Sequence, residues 1–164
     1  MEILNIYLSA EHNFVGHYGE AAGTSPIKEV DEVRCVARQG LEGDRFLGYK
    51  GPDYKGQATF FSIENYHWLC KKLDEHGKDP SVFRRNVLVR GADLPALVGE
   101  TFEVQGIRFE GTEEAAPCVW MEEAFGPTAC RMLTGRGGLR VRILDTGILR
   151  TERRLAELAG DSAS

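Results

Sequence analysis

Apolar residues in this sequence come in short runs, and almost every run stops at a glycine or a polar turn. Ile3, Leu4, Ile6 and Leu8 give an opening stretch, Glu2 to Ser9, its alternating apolar character; Val30 to Ala37, Ala58 to Phe61 and Asn86 to Arg90 are further short apolar runs. Alternation with a period of two marks a strand with one buried face, and a short wholly apolar run fits a strand buried on both. Thr101 to Gly111 reads as a hairpin around Gln105-Gly106, and Gly137 to Leu149 as a last strand pair turning at Asp145-Thr146-Gly147. The 19 glycines supply the turns that so many short strands require.

Helical spacing is rarer. Ser62 is placed to cap a helix in which Ile63, Tyr66, Leu69, Cys70 and Leu73 share one face, with Gly77 and Pro80 ending it and His67 and His76 on it. Val119 to Phe125 and Thr128 to Leu133 are short helical candidates divided by Gly126-Pro127, and Thr151 to Leu158 is a terminal helix. Strands dominate, helices are inserted between them, and no βαβ rhythm repeats. The expected class is therefore mixed α+β and β-rich: a closed or nearly closed β-barrel with inserted short helices. With no internal repeat and no linker, residues 1–164 are expected to form a single domain.

Composition narrows the partners. A formal charge of -5 disfavours nucleic acid and anionic membranes, which call for a basic face. The distribution is uneven, however. Seven arginines fall between Arg131 and Arg154, while acidic residues gather in Glu110 to Glu123, so a local anion site is compatible with an acidic whole. No run of about 18 apolar residues is present to span a membrane, and the N-terminus lacks a basic start followed by an apolar stretch. Cys35, Cys70, Cys118 and Cys130 show no metal-finger spacing, and reduced thiols in the cytoplasm are the expectation.

Four groups of residues could carry chemistry. Pro117 has no N–H and a fixed φ, so a strand must end there and present Cys118 at a rim or turn. A helix starting just after it would favour the thiolate, the form that binds soft metals or attacks sulfur. Cys35 and Cys70 fit buried structural cysteines instead, as does Cys130. Arg84, Arg85 and Asn86 open a strand; two guanidiniums beside an amide could hold a phosphate and the edge of a heterocycle, or simply be solvated charge. Gly40-Leu41-Glu42-Gly43-Asp44-Arg45 could fix Asp44 and Arg45 over a site, although Gly-Asp turns are common. Around Arg136, Gly135, Gly137 and Gly138 could turn N–H groups toward an anion or form an ordinary surface turn. His12 and His17, five apart in a glycine-rich loop, carry no metal spacing.

Taken in order, Gly40 to Arg45, Arg84-Arg85-Asn86-Val87-Leu88-Val89-Arg90-Gly91, Leu97 to Phe102, Pro117-Cys118 and Gly135 to Leu139 resemble the MOSC domain, named from the C-terminal domain of molybdenum-cofactor sulfurases. The likeness spans about residues 28–150, with 151–164 a terminal helix and tail. It implies a β-barrel-like fold with inserted helices and a molybdopterin-type molybdenum cofactor. Cys118 would be its molybdenum ligand and Asp44 a nearby acid or hydrogen-bond partner. Arg45, Arg84, Arg85, Asn86 and Arg136 would lie around the cofactor. The implied activity is reduction of N-hydroxylated compounds, a small-molecule substrate served by an external electron donor. The alternative is a persulfide or cofactor carrier that uses Cys118 with a sulfur-donor protein. Many relatives carry histidine where this chain has Phe46.

Overall fold

Two adjacent strands without an exposed face anchor the fold. The computed structural model describes residues 1–17 and 19–163. In it β5 (Ala58–Ser62) is buried throughout, and β6 (Val87–Arg90) is buried at Val87, Leu88 and Val89. They run parallel, joined by the crossover helix α1 (Ile63–Leu73), with Phe60 opposite Val87. Because side chains alternate across a strand, Phe60, Val87 and Val89 enter one core while Phe61 and Leu88 enter another.

Around this pair runs a seven-stranded sheet. It takes in β1 (Glu2–Leu8), β2 (Lys28–Val30), β7 (Thr101–Val104), β8 (Ile107–Glu114) and β9 (Leu139–Ile143), in the order β2-β1-β6-β5-β9-β8-β7. A three-stranded sheet has β3 (Glu32–Val36) between β10 (Gly147–Arg150) and β4 (Gly40–Leu41). Val33, Cys35, Leu41 and Leu149 of the small sheet share one core with Ile6, Phe60, Phe109 and Val141 of the large one. The opposite face of the large sheet is covered by α1, α2 (Trp120–Ala124) and α3 (Ala129–Met132) through Leu69, Met121, Phe125 and Leu133.

The fold is thus mixed α+β and sheet-rich, and the closed barrel expected from the sequence is not formed among the described residues. The seven-stranded ladder ends at β2 and β7. The chain leaves it twice: Val30 to Ala37 is not one strand but two, in different sheets, separated at Asp31. Likewise β9 and β10 do not pair with each other; β9 sits between β5 and β8, and β10 pairs with β3.

Local signals fared better. Ser62 Oγ accepts a hydrogen bond from Asn65 N at 3.3 Å, capping α1. Gln105 and Gly106 both take positive φ, 54° and 78°, in the tight turn between β7 and β8. Helix α1 ends earlier than expected, at Asp74 with φ 51°, so His76 lies beyond it and pairs with Asp74 at 2.8 Å. The terminal helix α4 (Glu152–Ser162) is longer than expected and is capped by Thr151. No helix among the described residues is long and apolar enough to cross a membrane.

Candidate functional site

Where β6 begins, beside β1 and β5, a buried polar knot ties three segments together. Asn86 is 2% exposed. Its Oδ1 accepts from Thr59 N at 3.0 Å and Thr59 Oγ1 at 3.1 Å, and its Nδ2 donates to Tyr7 O and to Asp44 Oδ1, both at 3.2 Å. Asp44 in turn accepts from Ser9 N at 3.1 Å, Phe46 N at 3.1 Å and Arg45 Nη1 at 3.2 Å. An ionised carboxylate is acceptor-only and needs several donors when enclosed, which these groups provide. Asp44 and Asn86 consequently sit beneath a cavity rather than in its lining.

On this base lies a cavity of about 280 Å³. Arg45, Arg84, Arg85 and Arg140 line it, together with Cys118. Rings also line it: Phe46 and Tyr54, stacked with centroids 5.9 Å apart, and Phe14 and Trp120, stacked at 4.8 Å. His12 packs edge-on against Phe46 at 4.9 Å. Burial, then the neighbouring Arg45, holds its imidazole below the ordinary 6.5, with Asp44 opposing them.

The four arginines are not equivalent. Arg45 pairs with Asp44, and Arg140 with Glu113 at 3.0 Å. Arg84 and Arg85 make no ion-pair contact with a carboxylate among the described residues. Arg84 caps the 3-10 turn Pro80–Phe83 in a left-handed conformation, φ 53°, and is 8% exposed. Its guanidinium donates to Ser9 Oγ, Glu11 O and Ser25 O, fastening the loop that follows β1, while its buried Nε has no partner among the described residues. Arg85 donates to Gly137 O at 3.0 Å, Ala115 O at 2.8 Å and Ala116 O at 3.3 Å. Both are pushed down to about 10. Burial is the main cause, then Arg45 for Arg84 and Arg140 for Arg85. Cations withdrawn from water and bonded only to neutral carbonyls and a hydroxyl are short of directly contacting negative charge.

Cys118 stands at the rim, exposed. Its carbonyl accepts from Met121 N at 2.9 Å, starting the turn that leads into α2, and Arg85 grips the two residues before Pro117. Of the other thiols, Cys35 is buried as the sequence implied, while Cys70 and Cys130 are half-buried. Cys35 lies in the inner core, where burial pushes it up to about 12, and Cys70 and Cys130 pack against the outer core.

The structure thus brings Arg45, Arg84, Arg85 and Cys118 to one cavity and sets Asp44 and Asn86 under it. It does not bring Arg136 there. That guanidinium lies over Trp68, 4.4 Å from the ring centroid, and bonds Asn65 Oδ1 at 3.2 Å beside a different cavity. In the sequence Arg140 counts only within the arginine-rich stretch and His12 is noted only as lacking metal spacing, while Tyr54, Phe14 and Trp120 escape notice. For Arg140 a signal existed: Leu139-Arg140-Val141-Arg142-Ile143 alternates, placing Arg140 off the core face. Nothing local marks the aromatic residues.

Among the described residues no three of His, Cys, Asp and Glu gather into a metal-binding group. A metal held by Cys118 would have to arrive with ligands of its own. The sequence profile of the MOSC domain family matches residues 47–155, two-thirds of the chain. The chain belongs to the MOSC domain family. Among solved structures, this MOSC protein is similar to the YuaD protein from Bacillus subtilis, with a TM-score of 0.70 at 18% identity, covering 92% of this chain and 91% of that one. It is also similar to YiiM from Geobacillus stearothermophilus (TM-score 0.65, 14% identity, 91% and 70% covered) and YiiM from Escherichia coli (0.63, 16%, 93% and 67%). These likenesses establish the fold. No curated protein matches significantly in sequence.

Proposed function

We propose that this MOSC protein binds a molybdopterin-type molybdenum cofactor in the arginine-lined cavity, with Cys118 as molybdenum ligand, and reduces N-hydroxylated small molecules. One observation carries the reading: two guanidiniums without a contacting carboxylate, the buried Arg84 and the half-buried Arg85, line the same cavity as an exposed thiol. That combination suits an anionic group bearing a soft-binding metal, since guanidiniums match phosphate and thiolate matches molybdenum. The cavity volume of about 280 Å³ lies just under the ~300 Å³ lower end for small-molecule sites.

Arg84 and Arg85 would face the phosphate, and the Phe14–Trp120 and Phe46–Tyr54 walls would flank the planar ring system. The group, when bound, supplies two-electron redox chemistry at the metal. Asp44 and Asn86 position Arg45 and the loop above them. His12, kept neutral near pH 7, can accept or return a proton at the cavity wall. Electrons would come from an external donor protein.

A second reading draws on the exposure of Cys118 at the rim. A thiol so accessible to another protein also suits a carrier that takes a persulfide from a sulfur-donor protein, or holds the cofactor and hands it on.

Expression in a cofactor-competent host, followed by metal and pterin analysis, tests both. About one molybdenum per chain, lost in Cys118→Ser, supports the first; a persulfide on Cys118 without molybdenum supports the second. Neither metal nor persulfide would sink both.

A further inference from the structure

We propose that Cys118 is a site of S-thiolation selective for acidic disulfides, so that a small anionic disulfide caps the thiol and closes the cavity to a metal. The inference shares its cationic cavity and Cys118 with the proposed function but requires no metal. Three features of the structure lead to it. Cys118 is the one exposed cysteine of the four, which allows a disulfide to approach. It shares a cavity with Arg84 and Arg85, neither in ion-pair contact with a carboxylate among the described residues, so negative charge brought in on the disulfide would meet guanidiniums that hold only neutral acceptors directly. Finally, the exposed Val119 and Ala116 line the same cavity and give its rim an apolar surface beside the thiol, against which an aliphatic chain can lie.

The step is thiol–disulfide exchange. The thiolate of Cys118 attacks one sulfur of R–S–S–R along the S–S axis; the new Sγ–S bond forms as the old S–S bond breaks. The electron pair leaves with the departing thiolate, which takes a proton from water according to its own basicity. Cys118 is oxidised to the mixed disulfide and the second half of the reagent is reduced. Carboxylates on the retained half meet Arg84 and Arg85. While the cap is in place the sulfur is no longer a thiolate, and so is lost as a soft ligand; any cellular thiol reverses it.

The test compares two small aliphatic disulfides of opposite charge, 3,3′-dithiodipropionate and cystamine, on the folded protein without cofactor at one pH. Each rate is divided by the rate of the same reagent with 2-mercaptoethanol, which removes leaving-group differences. Peptide mapping by mass spectrometry assigns the modified cysteine. The expected result is a normalised preference for the dianion at Cys118 of about tenfold or more, shrinking steeply with added salt. Arg84→Gln and Arg85→Gln should each reduce it. The salt series on the unmodified sequence keeps the test valid should either variant fold poorly. A normalised ratio near one, a preference for the dication, or modification chiefly at Cys70 or Cys130 would overturn the proposal. Metal analysis separates the two ideas: a clear anion preference in a chain that takes up no molybdenum leaves this inference standing and removes the cofactor reading. Molybdenum uptake with no charge preference does the reverse.

Discussion

Asn86 satisfies four hydrogen bonds with one amide, all of them buried. Replacing it by alanine strands Thr59 N, Tyr7 O and one acceptor position on Asp44. The expected cost is about 3 kcal/mol, the range for removing one member of a buried network. A urea titration with an unchanged m-value and a lower midpoint would show it; a loss under 1 kcal/mol would mean the knot is not rigid. A pH-dependent effect belongs to His12. Its folded pKa lies below the ordinary 6.5, so under about pH 6.5 the unfolded chain takes up the proton first. Stability contributed by the neutral imidazole is present above that pH and lost as pH falls toward the folded pKa. In His12→Gln the pH–stability curve should be flatter below 6.5, and NMR titration of the parent chain should place His12 under that value. At this scale the sequence was partly legible. Motif residues 84, 85 and 118 share a cavity, but nothing in the string separates Arg84 and Arg85 from the ion-paired Arg45. The buried roles of Asp44 and Asn86 likewise depend on contacts with residues 9 and 59.

Elements whose rules are local could be read, and those defined by a distant partner could not. The cap on α1 and the β7–β8 turn follow from the residues at the turn itself. By contrast, the break between β2 and β3 arises because β2 pairs with β1 and β3 with β10, and no alternation pattern encodes that choice. Gly137 shows the same dependence. A Cβ there would stand 2.3 Å from Ala115 O and 2.9 Å from Pro117 Cδ, in the segment that carries Cys118. Gly160, in α4, would meet nothing within 4 Å. Gly137→Ala is therefore expected to destabilise by about 2 kcal/mol or more and to change the alkylation rate of Cys118, since backbone must move. Gly160→Ala should stabilise by roughly 0.5–1 kcal/mol through helix propensity and leave Cys118 untouched. Denaturation midpoints and iodoacetamide kinetics on the pair would decide; equal effects on Cys118 would refute a direct link between Gly137 and the thiol's placement.

Across the whole molecule, a chain of net charge -5 keeps one buried and one half-buried guanidinium, Arg84 and Arg85, without a carboxylate contact among the described residues, while its arginines elsewhere are largely ion-paired at the surface. Burial of a cation disfavours its charged form, which is the direction both Arg84 and Arg85 take. Folding would be less strained if an anion shared the cavity, and a ligand that binds the folded chain alone stabilises it by RT ln(1 + [L]/Kd). Inorganic phosphate should accordingly raise the unfolding temperature, by a few degrees once its concentration is well above Kd, whereas chloride at equal ionic strength should not. Arg84→Gln and Arg85→Gln should each blunt the response, and Arg136→Gln, whose guanidinium stacks on Trp68 away from this cavity, should leave it intact. The comparison isolates the cavity from general screening, because all four proteins share the rest of their surface. Were phosphate and chloride equivalent, or were Arg136→Gln the variant that lost the response, the cationic floor would be a structural device holding loops to strands rather than a place for an anion.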